Sequence, residues 1–418
     1  MNVLVKSAKI LDPKSDFHNQ TVDILVEKGV IKDIGDSLKN PKKNKEIQLE
    51  NLHISRGWFD SSVCFGEPGF EERETIANGL KTAAFSGFSA VAVNPNTYPI
   101  VDTSSDISFL KTKSDGFATK LYPIGALTKT ASGKDLAELF DMTEAGAIAF
   151  GDYQSPISDP NLMKLALQYA SNFGGLIMSF PLESKIAGNG VMHEYITSTS
   201  LGLKGIPALA EELQIARDLF ILNYTGGKLH IPTISTKKSV ELIREAKANK
   251  LDISCSVAIH NLIFSDEALE GFDTNFKVLP PLRSAEDRQA LIDGLKDGTI
   301  DMVTSDHNPM DIEHKKLEFD NAAYGTLGLE SAFGALNSIF TTKKSVDLLT
   351  KGKSRFDVED SSITLGNMAD LTLFNPTGNF TFSKSHIHSA SKNSMFLGKE
   401  LKGHVYGIIA NNQLALNS

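Results

Sequence analysis

Residues 57–99, GWFDSSVCFGEPGFEERETIANGLKTAAFSGFSAVAVNPNTYP, predict a buried strand, a loop, an amphipathic helix and a second buried strand. Strand, helix and strand in this order are the repeating unit of an α/β fold. In barrels of this class the end of the first strand is a usual place for metal ligands. Here that place is taken by Ser62 and Cys64, which are poor holders of a metal ion in this combination.

The same alternation of apolar strands and amphipathic helices continues through the middle of the chain. Eight strands alternating with helices predict a (β/α)8 TIM-like barrel over residues 56–364, with any chemistry at the carboxyl ends of the strands. A doubly wound open sheet is the alternative, but no glycine-rich phosphate loop supports it. The eight strand candidates are HISRGWFDSSV, FSAVAVNP, KLYPIGALT, AGAIAFGDY, GGLIMSFP, GKLHIPTIS, LDISCSVAIH and DMVTSDHNP.

Both ends of the chain differ from this middle. They contain short segments in which apolar and polar residues alternate with period two, broken by Gly, Pro and Asn. Because chain ends often lie close together, residues 1–55 and 365–418 are expected to build one small β-sandwich domain.

The bulk composition excludes several classes of protein. The 418 residues carry a net charge of −9, which argues against nucleic acid or an anionic membrane as the main partner. The N-terminal residues lack the apolar core of a signal peptide, and no apolar run approaches the roughly 20 residues of a membrane helix. With only two cysteines, Cys64 and Cys255, a disulfide framework is excluded and a cytoplasmic location is expected.

Several blocks carry a resemblance to a known family. They include FGEPGFEERETIANGLKTAA, VAVNPNTYPIVD, LGLKGIPALAEELQIARDL and LPPLRSAEDRQALIDGLKDGTIDMVTSDHNP. In order and spacing the chain resembles the dihydroorotases of the amidohydrolase superfamily, in the form that associates with aspartate carbamoyltransferase in pyrimidine biosynthesis. The resemblance implies hydrolysis of a cyclic amide, in which one or two zinc ions activate a water and an aspartate moves the proton.

The resemblance also implies six zinc-ligand positions, and five of them have changed. The family has two histidines after strand one, an aspartate after strand four, a histidine after each of strands five and six, and an aspartate after strand eight. In this chain the six positions are Ser62, Cys64, Tyr153, Phe180, Thr233 and Asp306. Asp152 is the non-ligating neighbour of the fourth-strand position. Because the ligands are lost, no metal cofactor is expected.

The family's substrate-binding positions have changed in the same way. An arginine, an asparagine and a histidine correspond to Gly66, Leu279 and Met310. Asn96 survives, either as a ligand-binding residue or as a turn residue. Asp306 survives either as a proton shuttle or as a structural residue that caps a loop or pairs with His307.

A rearranged metal site is a further possibility. Cys64 and Asp306 would need more ligands, because structural zinc takes about four, and the candidates are His230 and His260. Strand alternation, counted back from Thr233, predicts that His230 points away from the barrel axis. Cys64 is therefore expected to be a small buried hydrophobe. The rings of Phe180 and Tyr153 are expected to fill the volume of the lost metals.

These observations favour a catalytically inactive dihydroorotase homologue that is a structural or regulatory subunit. A homo-oligomer is expected, and aspartate carbamoyltransferase is a possible partner. One alternative is a cyclic-amide hydrolase with a rebuilt site, and another is a sensor that binds a pyrimidine-like ligand in the vacated pocket. An apolar stripe, Ile206, Leu209, Leu213 and Ile215, either packs on the barrel or belongs to an interface.

Overall fold

The computed structural model describes residues 1–417, which form two eight-stranded sheets and a separate strand pair. In chain order the strands are β1 (Asn2–Ile10), β2 (Thr21–Glu27), β3 (Val30–Gly35), β4 (Lys45–Ile47), β5 (His53–Arg56), β6 (Trp58–Val63), β7 (Phe88–Val93), β8 (Lys120–Gly125), β9 (Ala149–Phe150), β10 (Leu176–Met178), β11 (Met192–His193), β12 (Gly205–Ile206), β13 (Lys228–Ile231), β14 (Ile253–Ala258), β15 (Met302–Thr304), β16 (Leu371–Thr381), β17 (Glu400–Ala410) and β18 (Gln413–Leu416).

Helices follow most of the central strands, as the sequence predicts. They are α1 (Ile76–Phe85), α2 (Ser104–Lys113), α3 (Leu139–Ala145), α4 (Pro160–Ser171), α5 (Ser184–Ala187), α6 (Ile196–Leu201), α7 (Ala208–Thr225), α8 (Lys237–Ala248), α9 (Ile259–Ile263), α10 (Ala285–Asp297), α11 (Ile312–Lys315), α12 (Leu329–Ile339) and α13 (Thr342–Thr350). Side-chain caps fix several of the starts. Thr75 accepts a hydrogen bond from the Asn78 amide at the start of α1, and Thr236 accepts one from Ser239 at the start of α8.

The central sheet is a parallel barrel in the order β15-β14-β13-β10-β9-β8-β7-β6. A parallel bridge between Val63 and His307 joins its first and last strands at the carboxyl end. All eight predicted strands are present, so the predicted (β/α)8 fold is confirmed.

Strand parity divides the barrel residues into two sets. On β7, Ala90 and Ala92 pack inside the barrel, whereas Val91 and Val93 pack under the helices. Phe356, which follows α13, packs with the inner set. The interior is therefore filled with side chains, as in other barrels of this type. Within the barrel, a functional site can therefore lie only at its open end, where the carboxyl ends of the strands are.

The second sheet joins the two ends of the chain. Its order is β18-β17-β16-β5-β1-β2-β3, with β4 beside β1. The link between the ends is the antiparallel pairing of β5 with β16, in which Arg56 lies opposite Leu371. One small β unit built from both ends is thus confirmed. The predicted boundaries at residues 55 and 365, and the sandwich arrangement, stay predictions.

Within residues 1–417, no helix is long and apolar enough to cross a membrane.

Candidate functional site

The carboxyl ends of the barrel strands surround one small cavity. Five of the six family ligand positions line it, and so does Leu279. The sixth position, Cys64, lies beside the cavity, where its thiol is 3.6 Å from the amide nitrogen of Asn94. Gly66, Asn96 and Met310 do not line it. The lining residues are Ser62, Asn94, Ile124, Gly151, Tyr153, Gln154, Met178, Phe180, Pro232, Thr233, Leu279 and Asp306.

The cavity is very small. Its volume is about 10 Å³, which is about the volume needed to hold one water molecule. Pockets that bind small molecules typically measure about 300–1,000 Å³. A six-membered ring with a carboxylate therefore does not fit between these side chains.

Two apolar side chains account for much of the filling. Phe180 and Leu279, which replace a histidine and an asparagine of the family, belong to one buried cluster with Ile206 and Ala210. Both side chains also line the cavity. Together with the Tyr153 ring they occupy the barrel mouth, in agreement with the expectation that aromatic rings fill this volume.

Gly66 stands where the family has the arginine that holds the substrate carboxylate, and its surroundings admit no side chain. A Cβ atom at this position would lie 1.9 Å from the carbonyl oxygen of Phe70 and 2.7 Å from its carbon. The loop is held tightly by hydrogen bonds from Gly66 N to the oxygen of Glu74 and from Phe70 N to the oxygen of Gly66. An arginine would require this loop to move.

Asp306 is the one family ligand that survives, and it lies in a buried network of hydrogen bonds. The Ser62 hydroxyl donates to its carboxylate at 3.2 Å, and Asn94 donates to that hydroxyl at 3.0 Å. The pKa of Asp306 is raised to about 7, mainly by burial; the Ser62 hydrogen bond opposes this shift, and the nearby Asp60 contributes to it. Asp306 does not pair with His307, whose Nδ1 instead lies 3.8 Å from Glu330.

Asp60 anchors the start of this network from inside the barrel. Its carboxylate accepts hydrogen bonds from the Ser305 amide at 2.9 Å, the Ser62 amide at 3.1 Å and the Thr304 hydroxyl. These bonds tie the end of β15 to the end of β6. Asp60 therefore fixes the backbone that carries both Ser62 and Asp306.

Cys64 and Tyr153 face each other at the side of the cavity. Burial raises the pKa of the Cys64 thiol to about 12, and burial likewise raises the pKa of Tyr153 well above its ordinary value. The Tyr153 hydroxyl is buried without a protein partner that meets hydrogen-bond geometry. Both groups are thus held in their protonated forms at neutral pH.

The two thiols give a direct test of this environment. Cys64 is 4% exposed and Cys255 is fully buried, and burial raises the pKa of both. Because the thiolate is the reactive form, we expect an aromatic disulfide reagent at pH 8 to label the folded protein at least about 1,000-fold more slowly than the protein in urea. Rapid labelling of Cys64 in the folded chain would instead indicate an activated nucleophile.

Three of the family ligand positions have an unusual backbone conformation. Tyr153, Thr233 and Asp306 have φ angles of 55°, 50° and 47°, in the left-handed region that a β-branched residue such as Thr233 rarely adopts. The Thr233 amide donates to the Ser256 hydroxyl at 3.2 Å. The strand ends thus keep sharp turns that direct these side chains into the mouth, although the side chains there are no longer metal ligands.

His230 lies inside the barrel, so the prediction that it points away from the axis is wrong. Its ring nitrogens lie 2.8 and 3.2 Å from the hydroxyls of Ser254 and Ser256, and its ring packs on Phe356. β13 ends at Ile231, so alternation cannot be counted back from Thr233. Burial lowers the pKa of His230 to about 3, and the neutral ring belongs to the interior below the cavity.

The residues present do not fit zinc. Among residues 1–417, no group of three or more His, Cys, Asp or Glu side chains is arranged to hold a metal ion. At the mouth only Cys64 and Asp306 are zinc-ligand types, and the other positions offer hydroxyls or an aromatic ring. His260 is buried, and neither of its ring nitrogens has a protein partner. That the protein holds no metal stays a prediction.

Some residues at the mouth were not singled out from the sequence. Asn94 is the main one, since its amide joins Ser62 to Cys64. Strand parity along β7, in which Ala90 and Ala92 face inward, places the Asn94 side chain inside the barrel and is the signal that could have identified it.

The surviving Asn96 does not line the cavity. The oxygen of its side-chain amide is buried without a hydrogen-bond partner in the protein. Asp152 accepts a hydrogen bond from the Thr128 amide at 3.0 Å.

Comparisons with known proteins agree with this fold. A family model described as "Dihydro-orotase-like" matches residues 53–239. A protein named dihydroorotase from Pelotomaculum thermopropionicum is 38% identical over 423 residues, covering 100% of this chain and 99% of that protein. One with the same name from Geobacter metallireducens is 36% identical over 411 residues, covering 96% of each. Among solved structures, an L-hydantoinase (dihydropyrimidinase) from Arthrobacter aurescens superposes with a TM-score of 0.84 at 20% identity, covering 99% of this chain and 97% of that one.

Proposed function

The chain belongs to the dihydroorotase family, and from this premise we propose that it is a catalytically silent member that acts as a structural or regulatory subunit in pyrimidine biosynthesis. The observation that carries the proposal is the filled barrel mouth. Where a dihydroorotase must hold its metal and its ring substrate, this chain has a cavity of about 10 Å³, bordered by Phe180 and Leu279.

The chemistry of the remaining groups supports the same proposal. Hydrolysis of a cyclic amide needs an activated water, a polarised carbonyl and a group that moves a proton. Asp306 is a candidate for the last role alone. The hydroxyls of Ser62 and Thr233 cannot replace imidazoles as zinc ligands, and no side chain fits at Gly66 to hold a carboxylate.

A family member without catalytic activity acts through its surface. The family resemblance points to aspartate carbamoyltransferase as the partner, and we propose that enzyme as the protein that the subunit supports. The barrel fold is kept, while five of the six ligand positions at its mouth have changed.

Catalytic inactivity is tested by measuring the zinc content and the enzymatic turnover of the same preparation. We expect protein purified without chelators, and protein desalted after incubation with zinc chloride, to hold less than about 0.1 zinc per chain, since a stable site needs about four ligands. Neither sample is expected to open dihydroorotate or to close carbamoyl aspartate. Stoichiometric zinc together with turnover would support the rebuilt hydrolase instead.

The structural role has its own test. Sedimentation of the protein mixed with purified aspartate carbamoyltransferase from the same organism is expected to give a complex heavier than either component. If no complex forms and a pyrimidine-like ligand raises the melting temperature, the sensor function would replace the proposed one.

A further inference from the structure

A second cavity lies away from the barrel mouth, between the small β unit and the barrel. Its volume is about 610 Å³, and it is lined by residues of β16 and β17 together with the end of α1 and the start of α12. Strand β17 packs on both of these helices. Pockets that bind small molecules typically measure about 300–1,000 Å³ and often lie where two structural units meet. This cavity therefore has the size and the position of a ligand site, which the barrel mouth does not.

The charges around the cavity are unsuited to an anion. Among the described residues that line it there is no lysine or arginine, and Lys81, whose ammonium lies over the Phe85 ring, is outside the lining. The ionisable lining residues are Glu50, Glu330, His386, His388 and His404. Burial lowers the pKa of His388 and of His404, so both rings are neutral at pH 7. Phosphates and carboxylates are normally bound by arginine or lysine, so an uncharged ligand fits this lining better.

Aromatic side chains border the cavity at two places. Phe85, the last residue of α1, meets the ring of His388 edge-on with 5.0 Å between the ring centroids. On β16, the ring of Phe380 lies 4.9 Å from that of His386. The two phenyl rings are half-buried and the two imidazoles are exposed, so each pair keeps surface that a further ring can cover. Planar bases are commonly held by stacking on Phe, Tyr and His side chains.

The cavity also has a hydrogen-bond donor whose identity is fixed by the protein. The Nδ1 atom of His386 accepts a hydrogen bond from the backbone amide of Ser383 at 3.0 Å. The proton of the neutral ring is therefore on Nε2, and this atom remains a donor if the ring becomes charged. Because His386 is exposed, its Nε2 group is available to a ligand in the cavity.

Acceptors without a partner belong to the same lining. Three oxygen atoms are buried and have no hydrogen-bond partner among the described residues, namely Ser86 Oγ, Glu330 Oε2 and Asn417 Oδ1. The Nδ2 group of Asn417 donates to the carbonyl oxygens of Phe85 and Val405, so its amide oxygen is the free end. Buried polar groups in native proteins are nearly always hydrogen-bonded. These oxygens therefore favour a ligand that brings N–H or O–H donors to this part of the cavity.

We propose that this cavity binds an uncharged nitrogen heterocycle of the nucleobase or nucleoside class. Such a ring is planar, and its edges carry both N–H donors and oxygen or nitrogen acceptors. These properties match the aromatic borders, the lack of lysine and arginine in the lining, the His386 donor and the three free acceptors. A ligand held there contacts both the small β unit and the barrel. The cavity is separate from the barrel mouth, so this proposal does not depend on whether the protein is catalytically silent.

Isothermal titration calorimetry of the full-length protein at pH 7.5 tests the proposed ligand class. The probes are cytidine, uridine, adenosine and guanosine, each with its 5′-monophosphate. We expect at least one nucleoside to bind with a Kd below about 200 µM. Its monophosphate should bind at least about 10-fold more weakly, because the lining has no arginine or lysine for the phosphate. Absence of binding by all four nucleosides at about 1 mM would overturn the proposal, and so would a monophosphate that binds as tightly as its nucleoside.

Variants of exposed lining residues test the location. Ser385→Trp places a large side chain at the cavity and is expected to weaken nucleoside binding at least about 10-fold by filling it. His388→Ala removes a stacking ring and should weaken binding at least about 5-fold. The matched controls are Lys384→Trp and His314→Ala, at exposed residues that do not line the cavity, and both should bind as the unchanged protein does. Circular dichroism checks that all four variants are folded. Unchanged binding in both lining variants would place the ligand elsewhere and overturn the proposal.

Discussion

Glu211→Ala is expected to lower the free energy of unfolding by about 3–5 kcal/mol. Glu211 is 1% exposed, and its carboxylate accepts hydrogen bonds from the amides of Ser235 and Thr236 and from the Ser239 hydroxyl, at 2.7, 3.1 and 2.6 Å. Its removal also leaves the guanidinium of Arg283, 3.6 Å away and 2% exposed, without its buried counter-charge. Urea unfolding at pH 7.5 measures the loss.

Two further variants separate the causes of this loss. Glu245→Ala removes an exposed carboxylate from α8 and is expected to change the free energy of unfolding by less than about 0.5 kcal/mol. Adding Arg283→Met to Glu211→Ala removes the unpaired charge, so the double variant should unfold less easily than the sum of the two single changes predicts. Additive effects would show that the ion pair is unimportant and that the loop hydrogen bonds carry the stability.

The barrel could be predicted from sequence because its signals are local. Eight apolar runs separated by amphipathic helices are compatible with few other folds. Within each strand, the alternation of side chains determines which residues face inward. Parity fails where a strand ends. Counting back from Thr233 places His230 on the wrong side, because Thr233, with a φ of 50°, lies in a sharp turn beyond Ile231.

The burial of polar residues on α7 could not be predicted in this way. Ile206, Leu209, Leu213 and Ile215 look like one apolar stripe, yet Ile206 and Ile215 are buried while Leu209 and Leu213 are exposed. The partners that draw Glu211 inward lie 24 to 28 residues away along the chain. Only the tertiary structure shows that Glu211, Gln214 and Asp218 share the buried side of α7 with Ile215, Leu219 and Leu222.

The candidate site, too, could be predicted only in part from the sequence. Family spacing identified which residues stand at the ligand positions, and five of those six line one cavity. The size of that cavity is not a property of any single position. It depends on how Phe180 packs with Leu279, and these residues are about 100 positions apart in sequence.

Asp306→Asn is expected to stabilise the protein at pH 8 by about 2–4 kcal/mol and to have little effect near pH 4. Burial raises the pKa of Asp306 from its ordinary 3.8 to about 7 in the folded state. Between these two values the folded chain binds more protons than the unfolded chain, so the free energy of unfolding decreases as pH rises through this window. Above pH 7 the folded protein contains a buried charge with no cation beside it, and an asparagine removes that cost.

The backbone conformation and the hydrogen bonding at this position allow the substitution without other structural change. Asparagine tolerates the left-handed φ of 47° at this position, and its carbonyl oxygen can accept the hydrogen bond from Ser62. Asp357→Asn is the matched control, because Asp357 has a φ of 51° and is exposed, so its effect should be small at every pH. Denaturant unfolding at pH 4.5, 6 and 8 gives the three curves. Loss of stability in Asp306→Asn at pH 8 would mean that a cation holds the carboxylate ionised, and would contradict the silent, metal-free barrel mouth from which the proposed function is argued.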